Sequence, residues 1–177
     1  MSRTVYTTAT SIDGFIADSE YSIDWLLAVD HGGGALDRVN EFFAGVGAIC
    51  MGSSTYGWSS ENNEAWQYEQ PVWVFTSKER EKPEGADIRF VKGDVRPVWE
   101  EMKAAAGDKD LWVVGGGDLA GQFLDAGLLD EVVVTVAPVV LGEGAPLFPR
   151  RVLSDRLTFE GAHRAGEFVY LEYAVRK

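Results

Sequence analysis

Cysteine is almost missing from this 177-residue chain: Cys50 stands alone. A single thiol cannot close an internal disulfide, so a disulfide-stapled fold is excluded and the cytoplasm is the expected compartment. Histidine is nearly as scarce. His31 and His163 lie far apart in sequence and, with one cysteine, make no metal-ligand spacing, so no metal is expected. No apolar run reaches the roughly 18 residues of a membrane span, so no membrane partner is expected either. The opening MSRTVYTTAT lacks the basic-then-apolar pattern of a signal peptide. Positive charge is also in short supply, with 16 Lys and Arg against 28 Asp and Glu and a net charge of −12. Such a surface repels phosphate backbones and argues against nucleic acid as a partner. The same field opposes an anionic cofactor. A nucleotide site would need local compensation from backbone N–H groups, a helix N-terminus or a few placed cations.

What is present is an ordinary globular composition, 46% hydrophobic and 25% charged, which suits one domain over residues 1–177. Residues 3–10 are short and β-branched and read as a strand. Asp13-Gly14 is a turn pair, followed by Phe15-Ile16-Ala17. Residues 19–34 read as loop, and 35–43 carry apolar residues at helical spacing with Gly45 as a stop. Strands are expected over 48–51, 72–75, 88–91 and 111–114. Helices are expected to open at 53–56, to run from the cap Asp94 to about Ala106, and to span 118–126. The apolar stretch 132–137 predicts a strand covered on both faces, and 156–163 with 167–176 predict a terminal antiparallel hairpin. Strands alternating with helices imply an α/β fold: a mixed, mainly parallel central sheet with helices on both faces.

Three segments offer chemistry. In Leu111-Trp112-Val113-Val114-Gly115-Gly116-Gly117-Asp118 an apolar strand meets glycines and a helix opens at once. Glycines permit close approach of a ligand, and the helix start offers N–H donors, which is the compensation an acidic protein needs for phosphate. The same pattern also suits a tight turn with no ligand, and Asp118 counts against an anion. Met51-Gly52-Ser53-Ser54-Thr55-Tyr56 places three hydroxyls at a helix start, as a phosphate rest or as an ordinary cap. Thr76-Ser77-Lys78-Glu79-Arg80 holds two clustered cations, in a site or in a solvated loop. Trp25, Tyr56 and Trp58 are candidates either for a heterocycle pocket or for the core.

These segments occur in an order that resembles the dihydrofolate reductase superfamily, and most closely its branch formed by the RibD C-terminal domain of riboflavin biosynthesis. The resemblance rests on Thr10-Ser11-Ile12-Asp13-Gly14-Phe15-Ile16-Ala17, on Met51 to Tyr56, on the triple glycine, and on Gly127-Leu128-Leu129-Asp130-Glu131 running on to Pro138-Val139-Val140-Leu141-Gly142-Glu143-Gly144. It implies the three-layer dihydrofolate reductase-like fold. It also implies hydride transfer from NADPH to a small heterocycle of pterin, pyrimidine or flavin-pathway type, as in a 5-amino-6-(5-phosphoribosylamino)uracil reductase. By the same resemblance Ala9 and Ile16 would frame the nicotinamide. Gly52, Ser54 and Thr55 would meet cofactor phosphates, and Thr76, Ser77 and Lys78 the adenosine side. Gly115, Gly116, Gly117, Leu119 and Ala120 would hold the pyrophosphate. Asp13 would serve as the catalytic, proton-delivering residue on the substrate side, with Trp25, Asp37 and Tyr56 as further substrate neighbours. Ser53 stands where the family commonly carries an arginine on the cofactor phosphate, so NADH is a second possible cofactor, with Lys78 or Arg80 as stand-ins for the missing charge. The alternative to an enzyme is a non-catalytic nucleotide-binding protein that keeps the reductase fold. The stretch 132–141 and the terminal hairpin suggest a homodimer.

Overall fold

A computed structural model describes residues 2–30, 32, 35–61 and 66–177, with side chains described for all of these but 35–38. In chain order the elements are β1 (Thr4–Thr10), β2 (Phe15–Ala17), α1 (Asp24–Leu27), α2 (Ala35–Gly45), β3 (Val46–Gly52), α3 (Ser53–Glu61), β4 (Val72–Phe75) and β5 (Ile88–Val91). They continue with α4 (Val95–Ala106), β6 (Asp110–Gly115), α5 (Gly117–Asp125), β7 (Glu131–Val136), β8 (Ala145–Pro146), β9 (Leu157–Ala165) and β10 (Phe168–Val175). Eight strands form one sheet in the order β5-β4-β3-β6-β1-β7-β10-β9. The pairs from β5 across to β7 are parallel, whereas β7–β10 and β10–β9 are antiparallel. β2 and β8 make a separate two-stranded ribbon.

Local chemistry explains the helix that anchors one face. The Asp94 carboxylate accepts from the Arg96 N–H at 2.8 Å and caps α4. Gly107 ends it at φ +63, and its N–H donates to the Lys103 carbonyl. Between those signals Val95, Val98, Met102 and Ala106 are buried, a three- and four-residue spacing that turns one stripe to the sheet. α4 and α5 cover that face, packing on Tyr6, Cys50, Trp73, Leu111, Val113, Val132 and Val134. On the opposite face Phe42 and Phe43 of α2 and Tyr56 of α3 pack over Ile49, Met51, Val72, Val74 and Trp112. Each fully buried side chain of this kind contributes about 1.5–3 kcal/mol.

Three expectations are corrected. The segment 19–34 is not all loop, because α1 forms within it; His31, Gly33 and Gly34 lie outside the described residues. The helix opening at Ser53 runs on to Glu61. β7 is not covered on both faces: Val132 and Val134 are buried under α5, while Glu131, Val133 and Thr135 are half-buried. An apolar run marks a strand shielded from water, but it cannot distinguish a helix above it from the wall of a cavity. Among the described residues no helix is long and apolar enough to cross a membrane.

Candidate functional site

Two cavities open near the middle of the sheet. The first, of about 670 Å³, lies at the carboxyl ends of β3 and β6. The register Met51↔Gly115 sets the ends of these strands side by side. Gly52 and Gly116 are therefore neighbours, and a Cβ on Gly52 would stand 3.6 Å from the Gly116 nitrogen. α3 starts at Ser53 and α5 at Gly117, so two helix N-termini, each with uncompensated N–H groups, face one cleft. The N-cap of α5, Gly116, contributes no side-chain hydrogen bond, which leaves those donors uncapped by a side chain. The Gly115–Gly116 peptide is cis. Gly115 has φ +139, a conformation that L side chains rarely adopt. Gly117 is required for a different reason. A Cβ there would run into the Pro146 and Leu147 carbonyls, where the chain around β8 crosses the start of α5.

The cleft is roofed by β2, which is held by pairing with β8. Ile16 Cδ1 lies 4.0 Å from the positions a Cβ would take on Gly115 or Gly116. Ser53, Ser54, Thr55, Gly115, Gly116, Gly117 and Leu119 all line the cleft, along with Tyr21, Trp58, Phe75 and Gln122. Asp118 lines it as well, but its carboxylate pairs with Arg150 at 3.0 Å and accepts from Gln122 at 2.8 Å. Arg150 also holds Asp125 at 2.9 Å. The objection to an anion that Asp118 raises in the sequence is thus answered by a residue about thirty positions further on. At the outer end Ser53 Oγ accepts from Arg80 Nη2 at 3.0 Å and from Thr76 Oγ1 at 3.2 Å. Arg80 Nε is buried with no hydrogen-bond partner. Ser77 and Lys78 are exposed and do not reach the cleft wall, although the Lys78 N–H donates to Thr76 Oγ1 at 3.1 Å.

The second cavity, of about 410 Å³, lies on the sheet face beside α2. Its floor is a grid fixed by strand register: Ala9, Thr135 and Tyr170 form one row, and Thr7, Val133 and Glu172 the next. Glu131 follows one step further along β7. Its walls are Leu26 of α1, Val39, Phe42 and Phe43 of α2, and Trp112 of β6. Trp112 is fixed in place by edge-on contacts with Phe42 (5.5 Å) and Phe43 (5.1 Å) and by donation from its Nε1 to the Thr7 carbonyl at 3.2 Å. At the far end Arg3 bonds Glu131 at 2.6 Å and Asp110 at 2.7 Å, and His163 Nε2 lies 3.5 Å from Glu172. Burial holds the Glu131 carboxyl above its ordinary range; Arg3 works against that shift and Glu172 adds to it. Among the described residues Thr8 alone lines both cavities.

Several expected site residues have other work. Asp13 lines neither cavity. Its carboxylate accepts from Ser11 Oγ at 2.6 Å, the Leu141 N–H at 3.1 Å and the Gly142 N–H at 2.7 Å. The Ser11 hydroxyl and the two backbone donors hold it down to about 2. These bonds make Asp13 a clamp between the β1–β2 turn and the segment after β7. Tyr56 also lines neither cavity. It is 1% exposed in the core, and its hydroxyl donates to the Glu81 carbonyl at 2.5 Å. Ala120 is fully buried and does not line the cleft. Ala9 lines the second cavity rather than the first. Trp25 is half-buried on α1 and lines neither, while its neighbours Ile23 and Leu26 line one each. The side chain of Asp37 lies outside the described residues. Among the described residues, no group of three or more His, Cys, Asp or Glu side chains converges as a metal site would require.

A sequence profile of the RibD C-terminal domain matches residues 62–171. The uncharacterized protein YwjB of Bacillus subtilis is 30% identical over 172 residues, covering 97% of each chain. A crystal structure of a protein from Shewanella sp. PV-4, provisionally assigned to riboflavin biosynthesis, covers 99% of both chains at a TM-score of 0.82 and 28% identity. Dihydrofolate reductase of Enterococcus faecalis, complexed with NADP(H), superimposes over 99% of this chain and 97% of its own at a TM-score of 0.66 and 15% identity. At that identity the likeness shows the fold, which is dihydrofolate reductase-like.

Proposed function

Given that the chain belongs to the RibD C-terminal domain family, we propose that it is an NAD(P)H-dependent reductase, with the dinucleotide in the glycine cleft and a small heterocycle in the sheet chamber. One observation carries this reading: the two cavities meet at Thr8, so a ring in each would come face to face across β1. A reductase needs that adjacency, and a plain nucleotide-binding module does not.

The cleft's own residues fit a dinucleotide. Backbone is bare at Gly52, Gly115 and Gly116, where a Cβ would intrude on ligand space. The starts of α3 and α5 supply N–H donors and partial positive charge to a pyrophosphate, and Ser54 and Thr55 add hydroxyls. Ile16 and Thr8 would bound the nicotinamide end. When bound, the cofactor supplies the hydride; the protein supplies orientation and exclusion of water. Among the described residues the walls at the shared end, Thr8 and Thr135, bring hydroxyls, which offer a path for a proton to the substrate.

NADPH is the proposed cofactor rather than NADH. Ser53 removes the arginine usual at its position, but the guanidinium of Arg80 rests on Ser53 Oγ, with an orphaned Nε beside it. A phosphate on the adenosine ribose would give that cation its missing partner. A non-catalytic role has no comparable support, since the two sequence features that favour it, Ser53 and Asp118, are answered by Arg80 and Arg150. A homodimer belongs to the same proposal, because Phe159 and Val169 leave apolar surface on the edge hairpin. A sedimentation mass equal to one chain would remove the homodimer.

Thermal-shift titration with NADPH, NADH and ATP tests the reading. A ligand at about 100 times its Kd stabilises the fold by roughly 2.7 kcal/mol, a shift of several degrees. The expected result is a clear shift with NADPH, a smaller one with NADH and none with ATP. Well-folded protein that responds to neither nicotinamide cofactor would overturn the proposal.

A further inference from the structure

We propose that Asp118 is a binding residue of the glycine cleft: its carboxylate accepts from a ribose hydroxyl of the dinucleotide, while Arg150 holds it in place and cancels its charge. The inference rests on the reading of the cleft as the dinucleotide site. It gives a task to the only acid that lines the cleft among the described residues.

One stripe of α5 builds the device. Positions 118, 121, 122 and 125 follow at three- and four-residue spacing and share a helix face. Gly121 leaves the middle of that stripe bare, and Arg150 lies in the gap. A Cβ on Gly121 would stand 3.0 Å from Arg150 Cγ and 3.2 Å from its Cζ. From this seat all three guanidinium nitrogens are engaged within the chain. Nη2 meets Asp118 at 3.0 Å, Nε meets Asp125 at 2.9 Å, and Nη1 donates to the Pro149 carbonyl at 3.0 Å. Asp118 is fixed in turn, with one carboxylate oxygen on Arg150 and the other accepting from Gln122 Nε2 at 2.8 Å. Each oxygen keeps room for a second donor. The Asp118 side chain is 65% exposed and lines the cleft, whereas Arg150 does not. A ligand in the cleft therefore meets the acid and not the cation.

A group that meets a carboxylate must donate. Asp118 is the second residue of α5, beside the N–H groups offered to a pyrophosphate. The donors closest to the pyrophosphate in a dinucleotide are the hydroxyls of the riboses esterified to it. An acceptor one step from the phosphate rest matches them, and with its charge cancelled it does not repel the phosphate beside it. Stability alone does not account for the arrangement. An exposed ion pair adds little, and an acid in the first turn of a helix is favoured by the helix dipole without any arginine.

Calorimetry on the whole chain with NADPH, ADP-ribose and inorganic pyrophosphate tests this. ADP-ribose keeps both riboses and lacks the nicotinamide; pyrophosphate is an anion without hydroxyls. Asp118→Asn should weaken NADPH and ADP-ribose by about tenfold each and leave pyrophosphate unchanged or tighter. An acid that serves only the helix start predicts the opposite sign for the nucleotides, because removing a negative charge favours every anion. Arg150→Gln bares the carboxylate and should weaken all three. Adding Asp118→Asn to it should return pyrophosphate to within about threefold of the parent and leave the nucleotides weak. Thermal melting follows folding, and Asp118→Asn carries the test if loss of Arg150 unsettles the chain. The nucleotide arms decide where pyrophosphate binds too weakly to measure. Nucleotide affinity that is kept or raised in Asp118→Asn, or a loss shared equally by pyrophosphate, overturns the proposal. A loss in Arg150→Gln that the double variant does not relieve for pyrophosphate overturns the charge-cancelling task of Arg150. NADPH binding that ignores Asp118 sinks this inference and leaves the reductase reading intact. Asp118-dependent binding of ADP-ribose without binding of NADPH keeps the inference and sinks the reductase reading. Binding of neither nucleotide by the parent overturns both.

Discussion

The two cavities share Thr8 and little else. The glycine cleft is built at strand-to-helix junctions, from backbone, hydroxyls and helix ends. The sheet chamber is built across strands, from alternate side chains of β1, β7 and β10 under a helix. One offers N–H donors and bare peptide; the other offers aromatic walls and two carboxylates. This difference explains why an acidic protein can hold an anion at one point. A net charge of −12 sets the far field, but helix termini and an Arg150-neutralised Asp118 set the near field at the cleft. Among the described residues no lysine or arginine lines the chamber.

The glycines give the sharpest way to break the comparison. Gly117→Ala drives a methyl group into two backbone carbonyls that cannot rotate away. The expected cost is about 3 kcal/mol or more, read as a lower urea midpoint, and both cavities should be lost with the fold. Gly116→Ala is the contrasting case. Its φ of −71 accommodates alanine, and the nearest atom, Ile16 Cδ1, is 4.0 Å away. This variant should fold within about 1 kcal/mol of the parent. It should lose at least about tenfold in affinity for NADPH, because the methyl occupies cleft space. Unchanged NADPH binding in Gly116→Ala would mean that the dinucleotide does not rest on this backbone.

Arg80→Ala comes next. It removes the guanidinium from Ser53 and should weaken NADPH by roughly ten- to hundredfold, the loss of one charged hydrogen-bond partner worth about 1.5–3 kcal/mol, with NADH barely affected. Equal losses for both cofactors would assign Arg80 to the shape of α3, which it touches at Gly57, rather than to the phosphate.

The cleft was legible in the sequence because its parts are contiguous. Strand, glycine and hydroxyl-rich helix start follow one another at 51–55, and strand, glycine and helix at 111–119. The capped helix α4 and the terminal hairpin were legible for the same reason. The chamber was not. Trp112, Glu131, Tyr170 and Glu172 meet only once β6, β1, β7 and β10 take their places in the sheet, and nothing local announces that order. Arg150 was hidden in a different way, since it acts on a carboxylate many residues distant, whereas Arg80 was one of the two cations the sequence offered as a stand-in at Ser53, and the structure seats it there. Three expected site residues that line neither cavity share one property. Asp13, Tyr56 and Ala120 sit inside or beside the right motifs, but their bonding capacity is spent on backbone partners or the core.

Asp13 supplies the smallest and most specific test. Its carboxyl is held down to about 2 in the folded chain, below the roughly 3.9 of an unfolded aspartate. A carboxyl with a depressed folded pKa contributes stability that is fully present above its unfolded value and is lost as pH falls toward its folded value. The contribution of Asp13 should therefore be complete at neutral pH and fade between about pH 4 and pH 2. Asp13→Asn cannot ionise and cannot accept on both former oxygens, so Leu141 or Gly142 loses its acceptor. The variant should be modestly less stable at neutral pH, and its acid unfolding curve should approach that of the parent below about pH 2. Its turnover near neutrality should keep the parent's pH profile, since this carboxylate touches neither cavity. A neutral-pH rate that collapses in Asp13→Asn while stability is unchanged would return Asp13 to the chemistry and remove the clamp.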